Sequence, residues 1–433
     1  MFYGTQRFPS PTPKVIKIQN KFWKHVGVLF AGSGASQLLA ILAIPLLTRI
    51  YNPGDYGTLV AFQSLTMLIG LVSTGRYESA IVLPEREEDA KCLWFLCMTL
   101  GIATGLVSLV AFFFLAEPIS ALLKNPGIQK WLPWLALSIV LNAAYLTLES
   151  WANRKSKYNR MSAGRMAVVA ITVTIQIALG KQGVDGGLII GTLVAQTVCV
   201  SVLTYITLKE VALESGWSEN LQKIKNVAGH YRSHPTYLIA SQGAGALYQQ
   251  LPVLLISSAF GSAAAGSYGM AMRLITLPTM TMANAIGAVF RQQAAEAYQQ
   301  RGEFLDLFKK TFLASIGISI VPFALLFLYA DDLLIIFLGE SWSLTGKLAQ
   351  VLAILGWVGF FSTPIDKGAI IVGNMKYIIT WHIFRLLTYV GGFYVCSLYS
   401  MQLLPLITAL SLVGILFYLI DVVVEYKFAK GSG

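Results

Sequence analysis

Charge is scarce in this chain. Asp, Glu, Lys and Arg make up 12% of its 433 residues, about half the share of an ordinary soluble domain. With 55% hydrophobic residues and a mean hydropathy of +0.64, too little polar surface remains for a water-soluble globule. Cysteine is scarcer still. The four thiols Cys92, Cys97, Cys199 and Cys396 fall in or beside apolar runs without metal-type spacing, which reads as small apolar packing residues rather than a metal or disulfide framework. Of the four histidines, His230 and His234 stand four apart, but beside Pro235 helical geometry fails, so no metal site is expected. Walker, G-x-S-x-G and H-E-x-x-H motifs are all missing, which argues against an enzyme and leaves ATP hydrolysis to a partner subunit. Ten-residue alternating strands are missing too, which excludes an outer-membrane barrel. The first apolar run is too long for a signal-peptide core and carries no small-residue cleavage site.

What the chain has is long apolar runs. Twelve are read, at roughly 26–50, 56–75, 93–115, 131–151, 162–180, 187–208, 235–260, 266–291, 311–330, 347–372, 376–399 and 402–424, each long enough to cross a ~30 Å hydrocarbon core as a helix. The expected fold is all-α: a polytopic membrane protein of about twelve transmembrane helices in two six-helix lobes. An echo supports the duplication. The stretch 30–57 carries Pro45 and ends in Tyr56-Gly57, and the stretch 240–269 carries Pro252 and ends in Tyr268-Gly269. Each half begins on the same side, so the halves are parallel repeats about an axis along the membrane normal. The expected organisation is a tail and basic amphipathic helix over 1–25, an N-terminal lobe over 26–208, a linker over 209–234, a C-terminal lobe over 235–424, and a tail over 425–433.

The formal net charge of +11 is a topology signal. Basic residues gather before Val26, after the fourth run (Arg154, Lys155, Lys157, Arg160, Arg165), after the sixth and after the eighth. That asymmetry places these segments and both termini in the cytoplasm by the positive-inside rule, and gives no reason to expect nucleic acid as a partner. The expected location is a membrane that the chain crosses many times, with both termini on the cytoplasmic side.

Charge within the apolar runs carries the functional reading. A cation at membrane depth costs enough that it faces the bundle interior or snorkels to an interface. Arg273, seven residues past Gly266, is the deepest. Arg385 lies halfway along the eleventh run, while Arg49 and Arg76 sit near run ends. Lys367, Gln249 and Gln250 add further groups for a polar substrate. Among the acids, Asp366, Glu149 and Glu78 are the candidates for a coupling proton or Na⁺, and Asp366 need not pair with adjacent Lys367 if the segment is helical. Cations outnumbering anions suit an anionic substrate, and guanidinium forks match a diphosphate.

The segment Pro45-Leu-Leu-Thr-Arg49-Ile-Tyr-Asn-Pro-Gly-Asp-Tyr56-Gly57, the Arg76…Leu83-Pro84 segment, and Gly266-Ser-Tyr268-Gly269…Arg273-Leu274…Pro278 resemble bacterial O-antigen and capsule repeat-unit flippases of the multidrug/oligosaccharidyl-lipid/polysaccharide exporter superfamily. The resemblance covers the chain after about residue 25. It implies two lobes around a V-shaped central cavity, with alternating access. The implied substrate is an undecaprenyl-diphosphate-linked glycan moved from the cytoplasmic to the periplasmic leaflet. The implied driver is membrane potential or ion antiport, and the implied partners downstream are a polymerase and a chain-length regulator. By position it places the diphosphate on Arg273 and more weakly on Arg49, Arg76 and Arg385. The acid that many relatives carry near Gln249-Gln250 is missing here. Three alternatives stay open: a cation-coupled multidrug exporter of the same superfamily, a lipid II flippase, and an integral-membrane polymerase or ligase. The lipid II relatives usually have more than twelve helices, and the enzymes need a large outer loop that this sequence lacks.

Overall fold

A computed structural model describes residues 34–211 and 217–431. The expected tail and amphipathic helix over 1–25, and the start of the first run, lie outside the described residues. The helices in chain order are α1 (Gly34–Thr48), α2 (Pro53–Ser73), α3 (Glu87–Leu122), α4 (Leu135–Arg154), α5 (Tyr158–Lys181) and α6 (Gly187–Val211). After a short amphipathic helix, α7 (Trp217–His230), come α8 (Ser233–Phe260), α9 (Ser262–Arg301), α10 (Leu305–Leu338) and α11 (Ser343–Ser362). A five-residue helix, α12 (Gly368–Val372), then leads to α13 (Met375–Leu398) and α14 (Leu403–Ala429). Apart from α7 and α12, these twelve helices fall on the twelve apolar runs. Nine segments among the described residues are both long and apolar enough to cross a membrane, and the chain is a multi-pass membrane protein. Helices α1–α6 form one lobe and α8–α14 the other.

Two ends of the bundle can be told apart. The hairpin end carries the α1–α2 turn, Lys124, Gly261 and Trp342. The basic end carries Arg76, the α4–α5 turn and the end of α14. At the basic end many cations meet acids: Lys155 pairs with Glu87 at 2.8 Å, and Lys157 and Arg160 converge on Glu210 at 2.5 and 3.2 Å.

Local chemistry sets the helix limits. The stretch Asn52-Pro53-Gly54-Asp55 reads as a turn, yet Pro53 to Asp55 form the first turn of α2. Asn52 accepts from the Asp55 N–H at 3.0 Å while Asp55 accepts from the Asn52 N–H at 3.1 Å. This reciprocal cap, with proline at the first helical position, starts the helix three residues early. The tenth run is broken rather than continuous. A 3₁₀ turn at Thr363–Ile365 follows α11, and α12 ends at Gly373 in the left-handed conformation, φ +85°. Its sequence, with Pro364 and Gly373, explains the interruption. The last helix runs five residues past the expected limit of 424, to Ala429, so Glu425 is helical rather than part of a tail.

Small residues let the lobes and their helices approach, as lipid supplies little apolar driving force between helices. Within the first lobe Gly101 packs on Ala143 and Gly105 on Val140; within the second, Gly356 packs on Ile275 and Phe323. Between lobes the approach is closest where α2 meets α9. A Cβ on Gly57 would stand 1.8 Å from the Ser262 carbonyl oxygen, and one on Gly266 would stand 1.9 Å from that of Pro53. Gly269 lies on Val60 and Gly54 near Ser262. The sequence echo is therefore a pair of G-x-Y-G segments (54–57 and 266–269) that face each other across the seam. Helix α9 continues for 40 residues, about 60 Å at 1.5 Å per residue, roughly twice the ~30 Å of a hydrocarbon core.

Candidate functional site

The seam between the lobes lies where α2 meets α8 and α9, and polar side chains of all three helices meet there. At the hairpin end it is shut. Arg273 lies eleven residues into α9, which starts at Ser262, about 16 Å along the axis. Its Nη1 donates to the Tyr56 hydroxyl of α2 at 3.1 Å. The Tyr56 ring meets Trp342 edge-on at 5.8 Å, and Trp342 Nε1 donates across the seam to the Thr48 carbonyl at 3.1 Å. Tyr51 donates to the Gln176 carbonyl at 2.8 Å. These side chains enclose a cavity of about 20 Å³ lined by Tyr51, Tyr56, Gln176, Arg273 and Trp342, with room for about one water. A guanidinium has five N–H donors. Among the described residues the Tyr56 phenol is the side chain Arg273 hydrogen-bonds.

Farther along α2 the seam is amide-rich. Gln250 of α8 donates to the Met67 sulfur at 3.2 Å, and both Gln249 and Gln63, one turn before Met67, are exposed. Gln37 of α1 accepts from Thr281 of α9. At the basic end two left-handed residues follow α2, Gly75 at φ +58° and Arg76 at φ +60°. Arginine holds this conformation at a steric cost, and the turn aims its guanidinium across the seam to Gln242 of α8. Arg76 also meets Glu78 at 3.4 Å, while buried Glu78 accepts from Thr74 at 2.5 Å.

The other sequence candidates lie away from the seam. Arg49 is exposed at the hairpin end, just past α1, consistent with a snorkelling cation. Glu149 accepts from Arg165 Nε at 2.9 Å between α4 and α5. Asp366 and Lys367 do pair, at 2.5 Å, because the residues sit in an irregular turn between the 3₁₀ segment and α12, where the 100° helical separation does not apply. Arg385 of α13 is clamped inside the second lobe, its Cζ 4.0 Å from the Tyr248 ring centroid and 4.3 Å from that of Tyr418. A desolvated guanidinium on an aromatic face is stabilised by about 2 kcal/mol. Tyr418→Leu is expected to lower stability by about that amount, read as thermal melting in detergent, with Tyr418→Phe close to the wild type because the π face is kept.

Several participants escape a sequence reading. Tyr56, Trp342 and Gln242 carry no charge and stand out only by their partners. Asp421 and Glu425 do carry a signal, two acids four apart in an apolar helix, lost by ending that helix at 424. Tyr377 donates to Asp421 at 2.6 Å, and Glu425 is 2% exposed.

A family model described as "Polysaccharide biosynthesis protein" matches residues 46–345. Among curated relatives, the chain is 22% identical to the succinoglycan biosynthesis transport protein ExoT of Rhizobium meliloti over 82% of its own length and 70% of that protein. It is 21% identical to the lipopolysaccharide biosynthesis protein WzxC of Escherichia coli over 76% of its own length and 65% of that protein. It thus spans about two thirds of the length of the curated relatives it matches. Among solved structures, it superposes on the lipid II flippase MurJ in an inward closed conformation with TM-score 0.72 at 13% identity, covering 94% of this chain and 90% of that one. An inward-facing multidrug-resistance MATE transporter of the MOP superfamily gives 0.65 at 16% identity, with 92% and 96% covered. At these identities the structural likeness speaks to the fold, two six-helix lobes.

Proposed function

The chain belongs to the polysaccharide biosynthesis protein family, and from that premise we propose that it flips a lipid-diphosphate-linked oligosaccharide, with undecaprenyl as the carrier, between leaflets. Transport without catalysis by the chain itself follows from the family and from relatives whose names describe transport and lipopolysaccharide biosynthesis. One observation carries the choice of an anionic headgroup. A guanidinium about 16 Å along α9 is held across the seam by a neutral phenol rather than by a carboxylate. A cation kept at that depth without a counter-ion is costly, and a diphosphate meeting its fork forms charge-assisted bonds stronger than the phenol's.

In this reading the lipid tail stays in the bilayer while the headgroup crosses between the lobes. The amides of Gln63, Gln249 and Gln250 offer hydrogen bonds to sugar hydroxyls, and Arg76 meets the diphosphate at the basic end. We read the basic end as cytoplasmic by the positive-inside rule, on the inner side of a bacterial inner membrane. The closed hairpin end then keeps the cavity shut toward the periplasm. Moving a diphosphate outward is favoured by an inside-negative potential, about 2.3 kcal/mol per charge per 100 mV. Depletion of the protein is expected to leave the lipid-diphosphate glycan in the cytoplasmic leaflet, identified by mass spectrometry of extracted lipids. Accumulation of an amphipathic drug instead, with lipid-linked glycans at their usual level, contradicts the proposal.

A further inference from the structure

Two cations in left-handed backbone reach across the seam, and both reach the same helix. Among the described residues the non-glycine positions with positive φ are Arg76, Lys124, Ser156 and Ser400. Arg76 donates to Gln242, in the part of α8 nearer the basic end. Lys124 Nζ donates to the Ala259 carbonyl at 3.1 Å, one residue before α8 ends at Phe260. The two acceptors stand 17 residues apart (242 and 259), about 25 Å along the axis. First-lobe cations therefore hold α8 at both ends of the seam.

Lys124 stands where helices usually end in glycine. Its N–H donates to the Ala121 carbonyl and the Asn125 N–H to the Ser120 carbonyl, both at 3.1 Å, the paired bonds that close a helix through a left-handed residue. Lysine at φ +44° carries a steric cost that the cap itself does not require. What lysine adds is an ammonium at the C-terminal end of α8, where free carbonyls and the helix dipole favour a cation. A second bond runs beside it: fully buried Ser257 donates to the Leu123 carbonyl at 2.7 Å. Asn125 is 1% exposed; its Oδ1 accepts from Thr58 of α2 at 3.1 Å, and its Nδ2 has no hydrogen-bond partner. The turn 123–125 thus ties α2 of the first lobe to the end of α8 in the second, apart from the Arg273–Tyr56 contact.

We propose that Arg76 and Lys124 are a matched pair of latches on α8, one at each end of the seam, each released when a phosphate of the headgroup takes its cation. Lys124 is then the anion-binding group of the hairpin-end mouth, with Asn125 Nδ2 as a further donor. The latches stand on the contacts themselves; their release by phosphate rests on the transport reading. Across the seam each cation is held by a neutral oxygen, a side-chain amide for Arg76 and a peptide carbonyl for Lys124. The carboxylate of Glu78, 3.4 Å from Arg76, belongs to the same lobe and does not bridge the seam. A cation bonds an ionised phosphate more strongly than a neutral acceptor, and Lys124 is exposed at the hairpin end, within reach of an arriving headgroup. A headgroup at one end undoes one latch and leaves the other engaged, which is what alternating access requires.

The test uses the full chain in phosphatidylcholine vesicles, its four cysteines replaced by alanine and spin labels placed on introduced cysteine pairs. Leu122 with Ala263 reports the hairpin end and Glu85 with Gln293 the basic end; all four are exposed and each pair spans the lobes. Lys124→Gly removes the ammonium and relieves the backbone, so it is expected to melt no lower than the wild type. Its open fraction at the hairpin end is expected to rise about threefold to tenfold, the low end for a charged hydrogen bond because the site is exposed. Lys124→Arg keeps the latch, and Arg76→Gly is expected to open the basic end alone. Undecaprenyl diphosphate is expected to raise the hairpin-end open fraction in the wild type and to add nothing in Lys124→Gly, while undecaprenol raises it in neither. A hairpin-end distance unchanged in Lys124→Gly overturns the latch. Lipid diphosphate that opens Lys124→Gly further, as it opens the wild type, or undecaprenol that acts equally well, overturns release by phosphate. Opening in Lys124→Gly by a chain that neither responds to the lipid diphosphate nor flips it leaves the latches standing and overturns the substrate reading, with the release step that rests on it.

Discussion

A single methyl group at Gly57 or Gly266 is expected to stop transport. The Gly57 Cβ would lie 1.8 Å from the Ser262 oxygen and the Gly266 Cβ 1.9 Å from the Pro53 oxygen, against ordinary contacts of 3.4–4 Å. Both obstacles are backbone, so no side chain can turn aside. The helices α2 and α9 must separate by more than an ångström, which pulls Arg273 from Tyr56 and Trp342 from Thr48. Smaller core clusters lie wholly within each lobe, around Leu93 and Trp151 in the first and around Phe290 and Phe308 in the second, so Gly57→Ala and Gly266→Ala are expected to fold and insert. What they lose is closure at the hairpin end, hence alternating access. Flipping in vesicles is expected to fall on the order of 100-fold, since shifting a two-state equilibrium from 1:99 to 99:1 takes about 5.5 kcal/mol and a backbone clash supplies much of it. A cysteine probe at the hairpin end becomes permanently accessible. Gly317→Ala on α10 is the control, because nothing lies within 4 Å of its Cβ position; equal loss there means that the effect is not closure.

The second large effect is at Arg273. Hydrogen bonds to charged groups contribute about 1.5–3 kcal/mol, so Arg273→Ala is expected to lower flipping by about 10- to 100-fold. Arg273→Lys falls in between, since an ammonium keeps the charge but loses the bidentate fork. Tyr56→Phe separates the two roles of this pair. It removes the phenol that holds the guanidinium at 3.1 Å while leaving all five donors to the substrate. Its expected signature is a looser hairpin end and altered turnover, with headgroup affinity kept. If Tyr56→Phe and Arg273→Ala lose affinity equally, Arg273 serves the seal and not the ligand.

Spans, lobes and the basic end were legible because a bilayer selects on length and apolarity, both of which a sequence displays directly. The echo was legible as a repeat. Its meaning, two G-x-Y-G segments in mutual contact, needed the structure, since symmetry relates residues that sequence places 212 apart (57 and 269). Partner choice was not legible. Arg385 and Arg273 look alike in an apolar run, yet one lies between the Tyr248 and Tyr418 rings of α8 and α14 inside a lobe and the other on Tyr56 of α2 at the seam. Asp366 and Lys367 pair because Pro364 breaks the helix that would have held them apart. Glu425 was hidden because the helix runs to Ala429, five residues past the limit of 424 read from the apolar run.

The central claim is that this chain carries a lipid-linked diphosphate headgroup across a bilayer through the seam at Arg273. The direct measurement is a leaflet assay. Purified protein is reconstituted in vesicles with a fluorescent undecaprenyl-diphosphate oligosaccharide in one leaflet, under an imposed potential, and its appearance on the other side is followed with an impermeant quencher. Flipping is expected without ATP, rising with the potential, lost in Arg273→Ala and lost only in part when Gln63, Gln249 or Gln250 is replaced by Ala. Flipping that persists unchanged in Arg273→Ala, or that proceeds equally well when the diphosphate is replaced by a neutral headgroup, contradicts it.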